Sequence, residues 1–198
     1  MKSRYGLFSV VAAILWVTPL FALDAAFPLP FYVYHGFHAR ENHFVPSGWM
    51  GDYGDIRFDD HFKSGAAPDK AVIKISYSAK LSQKQGWAGI YWQNPPNNWG
   101  SRAGGFNLNG AKKLVFMARG DQGGETIDQF KMGGINGNYA DSGSAAIGPI
   151  TLGKEWKQYE ISLEGQELSS ISGGFCWVMN HDENPNGATF YLDDIRYE

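Results

Sequence analysis

The sequence predicts an all-β chain folded as a two-sheet antiparallel β-sandwich, and three observations carry that expectation. Aromatic residues make up 15% of the chain and glycine occurs 25 times, a pairing that suits short strands joined by tight turns. From residue 71 onward apolar residues recur with a period of two, in runs bounded by clusters of Gly, Asn, Asp and Pro. No stretch past the N-terminal segment keeps helical periodicity over ten residues. Strands without intervening helices or disulfides imply two stacked sheets with jelly-roll or Greek-key connections.

Residues 1–22 have the form of a secretory signal peptide. Lys2 and Arg4 precede the apolar run LFSVVAAILWVTPLFAL, and Ala22 offers a small residue for cleavage, with Ala25 and Ala26 as alternatives. An uncleaved anchor is the other reading, because the run approaches bilayer-spanning length, although Pro19 argues against a long helix. Cleavage leaves a secreted or periplasmic chain with no membrane span, and residues 27–198 suffice for a single domain. The stretch HFVPSGWMGDYGDIRFDD sets Trp49, Asp52, Tyr53 and Asp55 among glycines, as a binding loop or a loop packed over one sheet end. His35, His38 and His43 lack metal-ligand spacing and cysteine companions, so zinc is not expected there.

The strands follow in order. AVIKISYS alternates Ile73, Ile75 and Tyr77 against Lys74, Ser76 and Ser78, a half-buried strand. KLVFMARG is apolar on both faces until Arg119, so it is central or its second face floors a cleft. TIDQFKMGGI and WKQYEISL are half-buried strands, GGFCWVMN is apolar on both faces, and ATFYLDDIRYE closes the chain. Cys176, the only cysteine, lies in the apolar run and reads as a buried inert thiol. With a formal net charge of -3 and a pI near 5.9, the chain has no basic excess to neutralise a phosphate backbone, so nucleic acid is excluded as an expected partner.

The chemistry that stands out is rings beside amides. Flat C–H patches of sugar rings are covered by aromatic faces while amides and carboxylates take the hydroxyls. In GWAGIYWQNPPNNWG, alternation puts Trp87, Gly89 and Tyr91 on one face and Ala88, Ile90 and Trp92 on the other. Both faces cannot be core in a two-layer sandwich, so large rings should reach an outer face. Trp92, Trp99, Tyr91 and Trp49 are therefore candidate platforms, with Gln93, Asn97 and Asn98 as hydroxyl-reading amides; rings packed under loops are the alternative. Arg119, at a strand end, is a candidate to hold a hydroxyl pair or a carboxylate; a solvated strand end or an internal ion pair is the alternative.

The ordered set KKLVFMARG, LGKEWKQYEISLEG, ISGGFCWVMN and FYLDDIRYE, over residues 71–198, resembles the second half of carbohydrate-binding modules built on the galactose-binding-like jelly roll. HFVPSGWMGDYGDIRFDD also resembles part of secreted bacterial proteins of unassigned function. The first resemblance implies non-catalytic binding of a polysaccharide or surface glycan, and a structural calcium ion away from the sugar. Residues 27–70 do not line up with such a module. Asp193 and Asp194 are the candidate calcium ligands, since adjacent acids on a terminal strand can supply one side chain to a site of six to eight oxygens. An arginine or backbone partner is the alternative, and Glu41, Asp59 and Asp60 are available as further ligands.

Two other classes compete. A glycan-active hydrolase or lyase would use cleft carboxylates, for which Glu125, Asp128, Glu160 and Asp182 are present without a recognisable catalytic motif. An envelope structural or adhesion protein would expose a large apolar patch without flanking amides.

Overall fold

The structure, a computed structural model, describes residues 26–37, 39–63 and 71–198. The expected signal segment and His38 lie outside the described residues. In chain order the strands are β1 (Phe31–Tyr34), β2 (Val45–Gly51), β3 (Ile56–Lys63), β4 (Ala71–Tyr77), β5 (Trp87–Gln93), β6 (Lys113–Gly120) and β7 (Thr126–Ile127). They continue as β8 (Gln129–Gly133), β9 (Ser144–Ile147), β10 (Ile150–Thr151), β11 (Lys157–Ser162), β12 (Gly173–Asn180) and β13 (Ala188–Tyr197). One 3-10 turn, Tyr53–Asp55, joins β2 to β3. Among the described residues no helix is long and apolar enough to cross a membrane.

The strands build the expected antiparallel sandwich. A six-stranded sheet runs β11-β6-β13-β4-β3, with β1 pairing the far half of β13, and a five-stranded sheet runs β2-β5-β12-β8-β9. Alternation assigns the faces: Leu114, Phe116 and Ala118 of β6 and Phe190 and Leu192 of β13 meet Ala88, Ile90 and Trp92 of β5 and Phe175, Trp177 and Met179 of β12 in one buried core. The run TIDQFKMGGI is two strands rather than one. At Asp128 the chain changes partner, its N–H donating to the Val178 carbonyl and its carboxylate accepting from Asn180 Nδ2, while β7 turns to pair with β10.

Rings link the core into one packed unit. Trp92 is 1% exposed, with its ring centroid 5.9 Å from that of Phe58 and 5.5 Å from that of Phe175. Phe175 in turn meets Phe116 and Phe130 at 5.2 and 5.9 Å. The Cys176 thiol is buried on the other face of β12, where desolvation pushes its pKa well up, as expected of an inert thiol.

Asp52 is a structural residue. It is fully buried, and its carboxylate accepts the backbone N–H groups of Gln83, Gln85 and Gly86, so it ties the loop after β4 to the end of β2. Burial works against ionisation there, yet the N–H donors prevail and hold its pKa below the ordinary 3.8. A carboxyl with a depressed folded pKa contributes stability above its unfolded pKa and loses it as pH falls through the folded one. Asp52→Asn is therefore expected to lower the melting temperature at neutral pH and to weaken its dependence on pH below 3.8. Melts of both proteins across the acid range check this; parallel acid limbs would count against it.

Candidate functional site

The outer face of the five-stranded sheet is edged by exposed rings. By register, Tyr91 lies opposite Gly48 and Cys176, Gly89 opposite Met50 and Val178, and Trp87 opposite Asn180, so these residues share the face turned away from the core. Gly89 has no room for a side chain: an added Cβ would lie 2.5 Å from the Trp177 carbonyl oxygen, 3.1 Å from Met50 Cε and 3.3 Å from Val178 Cγ2. The side-chain tips of Met50 and Val178 therefore close over Gly89, which is itself buried, and form a strip across this face. Half-buried Trp87 stands at one end of it and Tyr91 at the other, about 13 Å apart by strand rise.

Two loops crown the Tyr91 end. Trp99, 43% exposed, meets Tyr91 edge to face at 5.9 Å and 88°. Lys131 Nζ sits 5.5 Å from the Tyr91 ring centroid. The loop carrying Tyr139, itself 50% exposed, docks on the Trp99 loop through Tyr139 N–H donating to the Gly100 carbonyl. Gly100 makes that docking possible, because its φ is +80 and an added Cβ would lie 2.0 Å from the Asn136 carbonyl oxygen. Asp141 anchors the second loop by accepting the N–H groups of Ile135, Ser172 and Gly173. Burial raises its pKa above the ordinary value in spite of those donors.

This geometry corrects several expectations. Trp92 is no platform: it faces the core, because the Ala88, Ile90, Trp92 set is the buried one. Tyr91 does face outward, but it is 5% exposed, covered by Trp99 and Lys131, and its hydroxyl donates to the Gly133 carbonyl at 2.8 Å. Gln93 and Asn98 do not read hydroxyls, since both are fully buried. Gln93 Nε2 donates to the Asn98 carbonyl, and Asn98 Nδ2 to the Arg102 carbonyl, so the pair shapes the loop that presents Trp99. Trp49 is 38% exposed but lies opposite Ile90, on the core side of edge strand β2, where its ring meets Phe58 at 6.2 Å. Arg119 is on the outer face of the other sheet and cannot share a groove with Trp99; its guanidinium stacks 3.9 Å from the Tyr191 ring centroid.

Asp194 is a poor ligand for a calcium ion. The Asp194 carboxylate pairs with Arg196, and its Oδ1 lies 3.3 Å from His35 Nδ1. Asp193 Oδ1 accepts the Asp194 N–H. A carboxylate already neutralised by a guanidinium is a weak oxygen donor for a hard cation, so the arginine alternative describes Asp194. Asp59 and Asp60 instead come together with His61, ligand atoms within 4.8 Å of one another, on β3.

The candidate cleft carboxylates each have separate partners. Glu125 is buried and accepts the N–H groups of Asp121 and Gln122, Asp128 takes the Asn180 amide, Glu160 lies 3.7 Å from Lys113, and Asp182 lies 3.5 Å from His181. Trp87, overlooked as a site residue, was signalled by a large ring and a glycine alternating on the same face as Tyr91.

No family model and no curated protein matches this sequence. Among solved structures the chain is similar to the family 30 carbohydrate-binding module of a cellulosomal cellulase of Clostridium thermocellum, at 14% identity and a TM-score of 0.56, over 86% of this chain and 98% of that one. A further family 30 carbohydrate-binding module matches at 14% identity and a TM-score of 0.53, over 85% of this chain and 87% of that one. A third such structure matches at 14% identity and a TM-score of 0.51, over 79% and 94%. At this identity the likeness is one of architecture, and it establishes that the chain has the jelly-roll β-sandwich fold of carbohydrate-binding modules.

Proposed function

We propose that this chain binds a neutral polysaccharide or surface glycan without cleaving it, along the outer face of the five-stranded sheet. The observation that carries the reading is Trp99: a large ring left 43% exposed at the rim of the strip that Met50 and Val178 form over Gly89. A sugar unit would cover the Trp99 ring, the chain would run across the apolar tips of Met50 and Val178, and Trp87 would close the far end. Lys131 and Gln129 supply donors and acceptors along the same face. Family 30 carbohydrate-binding modules of the same architecture, one from a cellulase, support a glycan as the ligand class. The signal-like N-terminus supports export, to the periplasm or beyond, of one domain over residues 27–198.

A glycan array probed with the full-length mature chain tests this reading. Retention on neutral polysaccharides is expected, together with no release of reducing ends. Trp87→Ala is expected to weaken that binding several-fold without moving the melt, as the loss of one peripheral ring contact. Silence across the array, or bond cleavage, would overturn the proposal.

A further inference from the structure

We propose that the outer face of the six-stranded sheet is a second binding site, built for the carboxylates of an acidic polysaccharide. Five side chains from five parts of the chain form a rib across that face. Lys74 of β4 and Arg119 of β6 flank Tyr191 of β13 in the strand register. Lys74 Nζ lies 4.8 Å from the Phe62 ring centroid and 6.0 Å from that of Tyr191. The Arg119 guanidinium lies 3.9 Å from the Tyr191 centroid and 5.5 Å from that of Trp156. Phe62 and Trp156 in turn stand 5.3 and 6.4 Å from Tyr191. Rings and cations therefore alternate: Phe62, Lys74, Tyr191, Arg119, Trp156.

The cations are what the rib presents outward. Tyr191 is 3% exposed, and its hydroxyl donates to Asp121 Oδ1, which fixes its position from below. Asp121 Oδ2 accepts from Gln122 Nε2; the Tyr191 and Gln122 hydrogen bonds and, after them, the charges of Lys74 and Arg119 lower the pKa of Asp121, so this carboxylate answers part of the cations' charge from below. Among the described residues neither Lys74 nor Arg119 has a carboxylate within 4.0 Å. One Arg119 nitrogen donates to the Gly120 carbonyl and the guanidinium also lies against the Tyr191 hydroxyl, which leaves only the remaining donors of its planar fork available. A guanidinium clamped between two rings has already lost its side-chain freedom, so a carboxylate that docks on it pays little ordering entropy. Lys74 across Tyr191 supplies a second positive charge, and the exposed parts of Phe62 and Trp156 offer apolar contact to a sugar ring. With the whole chain at a net charge of -3, attraction of a polyanion would come from this local arrangement and not from bulk charge.

Affinity electrophoresis through gels containing sodium polygalacturonate tests the site, with gels of a neutral glucan run in parallel. The wild-type chain is expected to be retarded by polygalacturonate, less so as sodium chloride is raised. The double change Lys74→Gln and Arg119→Gln is expected to weaken that retardation at least tenfold and to leave any retardation by neutral glucan untouched. Trp99→Ala is expected to do the reverse, so failure of this site is distinguishable from failure of the groove on the other sheet. If the double variant melts early, Lys74→Gln alone serves, with a several-fold loss expected. A wild-type chain that ignores polygalacturonate, or a stably folded double or single variant that binds it unchanged, overturns the proposal.

Discussion

Replacing Trp92 by alanine is expected to destabilise the fold by about 3 to 5 kcal/mol, the range for deleting a fully buried large aromatic side chain. The ring is 1% exposed and packs on Phe58 and Phe175, so its loss leaves a cavity between the sheets that neighbouring strands, fixed by their ladders, cannot fill. That cost is a large share of the total stability of an ordinary domain. Denaturant titration should show a lower midpoint, and any glycan binding should be retained at conditions where the variant is still folded. A variant of unchanged stability that has lost binding would return Trp92 to the surface and contradict the core described here.

Trp99→Ala is expected to do the opposite. The ring is 43% exposed and touches Tyr91 only edge to face, while the loop that carries it is held by Gln93, Asn98 and Ser47 rather than by the indole. The melt should therefore stay close to that of the parent. Affinity for a neutral glycan should fall about tenfold or more, equivalent to about 1.4 kcal/mol or more, because the largest exposed contact at the rim is gone. Unchanged affinity would remove Trp99 from the site.

The contrast between these two tryptophans marks how far the sequence could be read. Alternation correctly separated Trp87, Gly89 and Tyr91 from Ala88, Ile90 and Trp92, and it located β4, β6, β11, β12 and β13 to within a residue or two. Periodicity gives two faces, however, and does not say which one meets the other sheet; that depends on the pairing of β5 with β12, a contact between residues about 90 positions apart in the chain. Tyr91 shows a further gap. It shares a face with Trp87 and Gly89 as alternation has it, but its burial is made by loops around Trp99 and Tyr139 whose docking rests on one glycine, Gly100. Strands β2 and β3 went unread because Pro46, Gly48 and Gly51 interrupt the first and a bulge between Asp59 and Phe62 breaks the alternation of the second. Arg119 could be placed at a strand end, whereas its stacking between Tyr191 and Trp156 depends on three strands meeting side by side.

The most direct measurement is the set of indole N–H resonances followed by NMR as the tightest neutral oligosaccharide found on the array is added. Binding in the groove predicts shifts at Trp99 and Trp87, with Trp92 and Trp177 silent in the core and Trp156 silent on the opposite sheet. Shifts confined to Trp156 or Trp49, with Trp99 and Trp87 unmoved, would contradict the account.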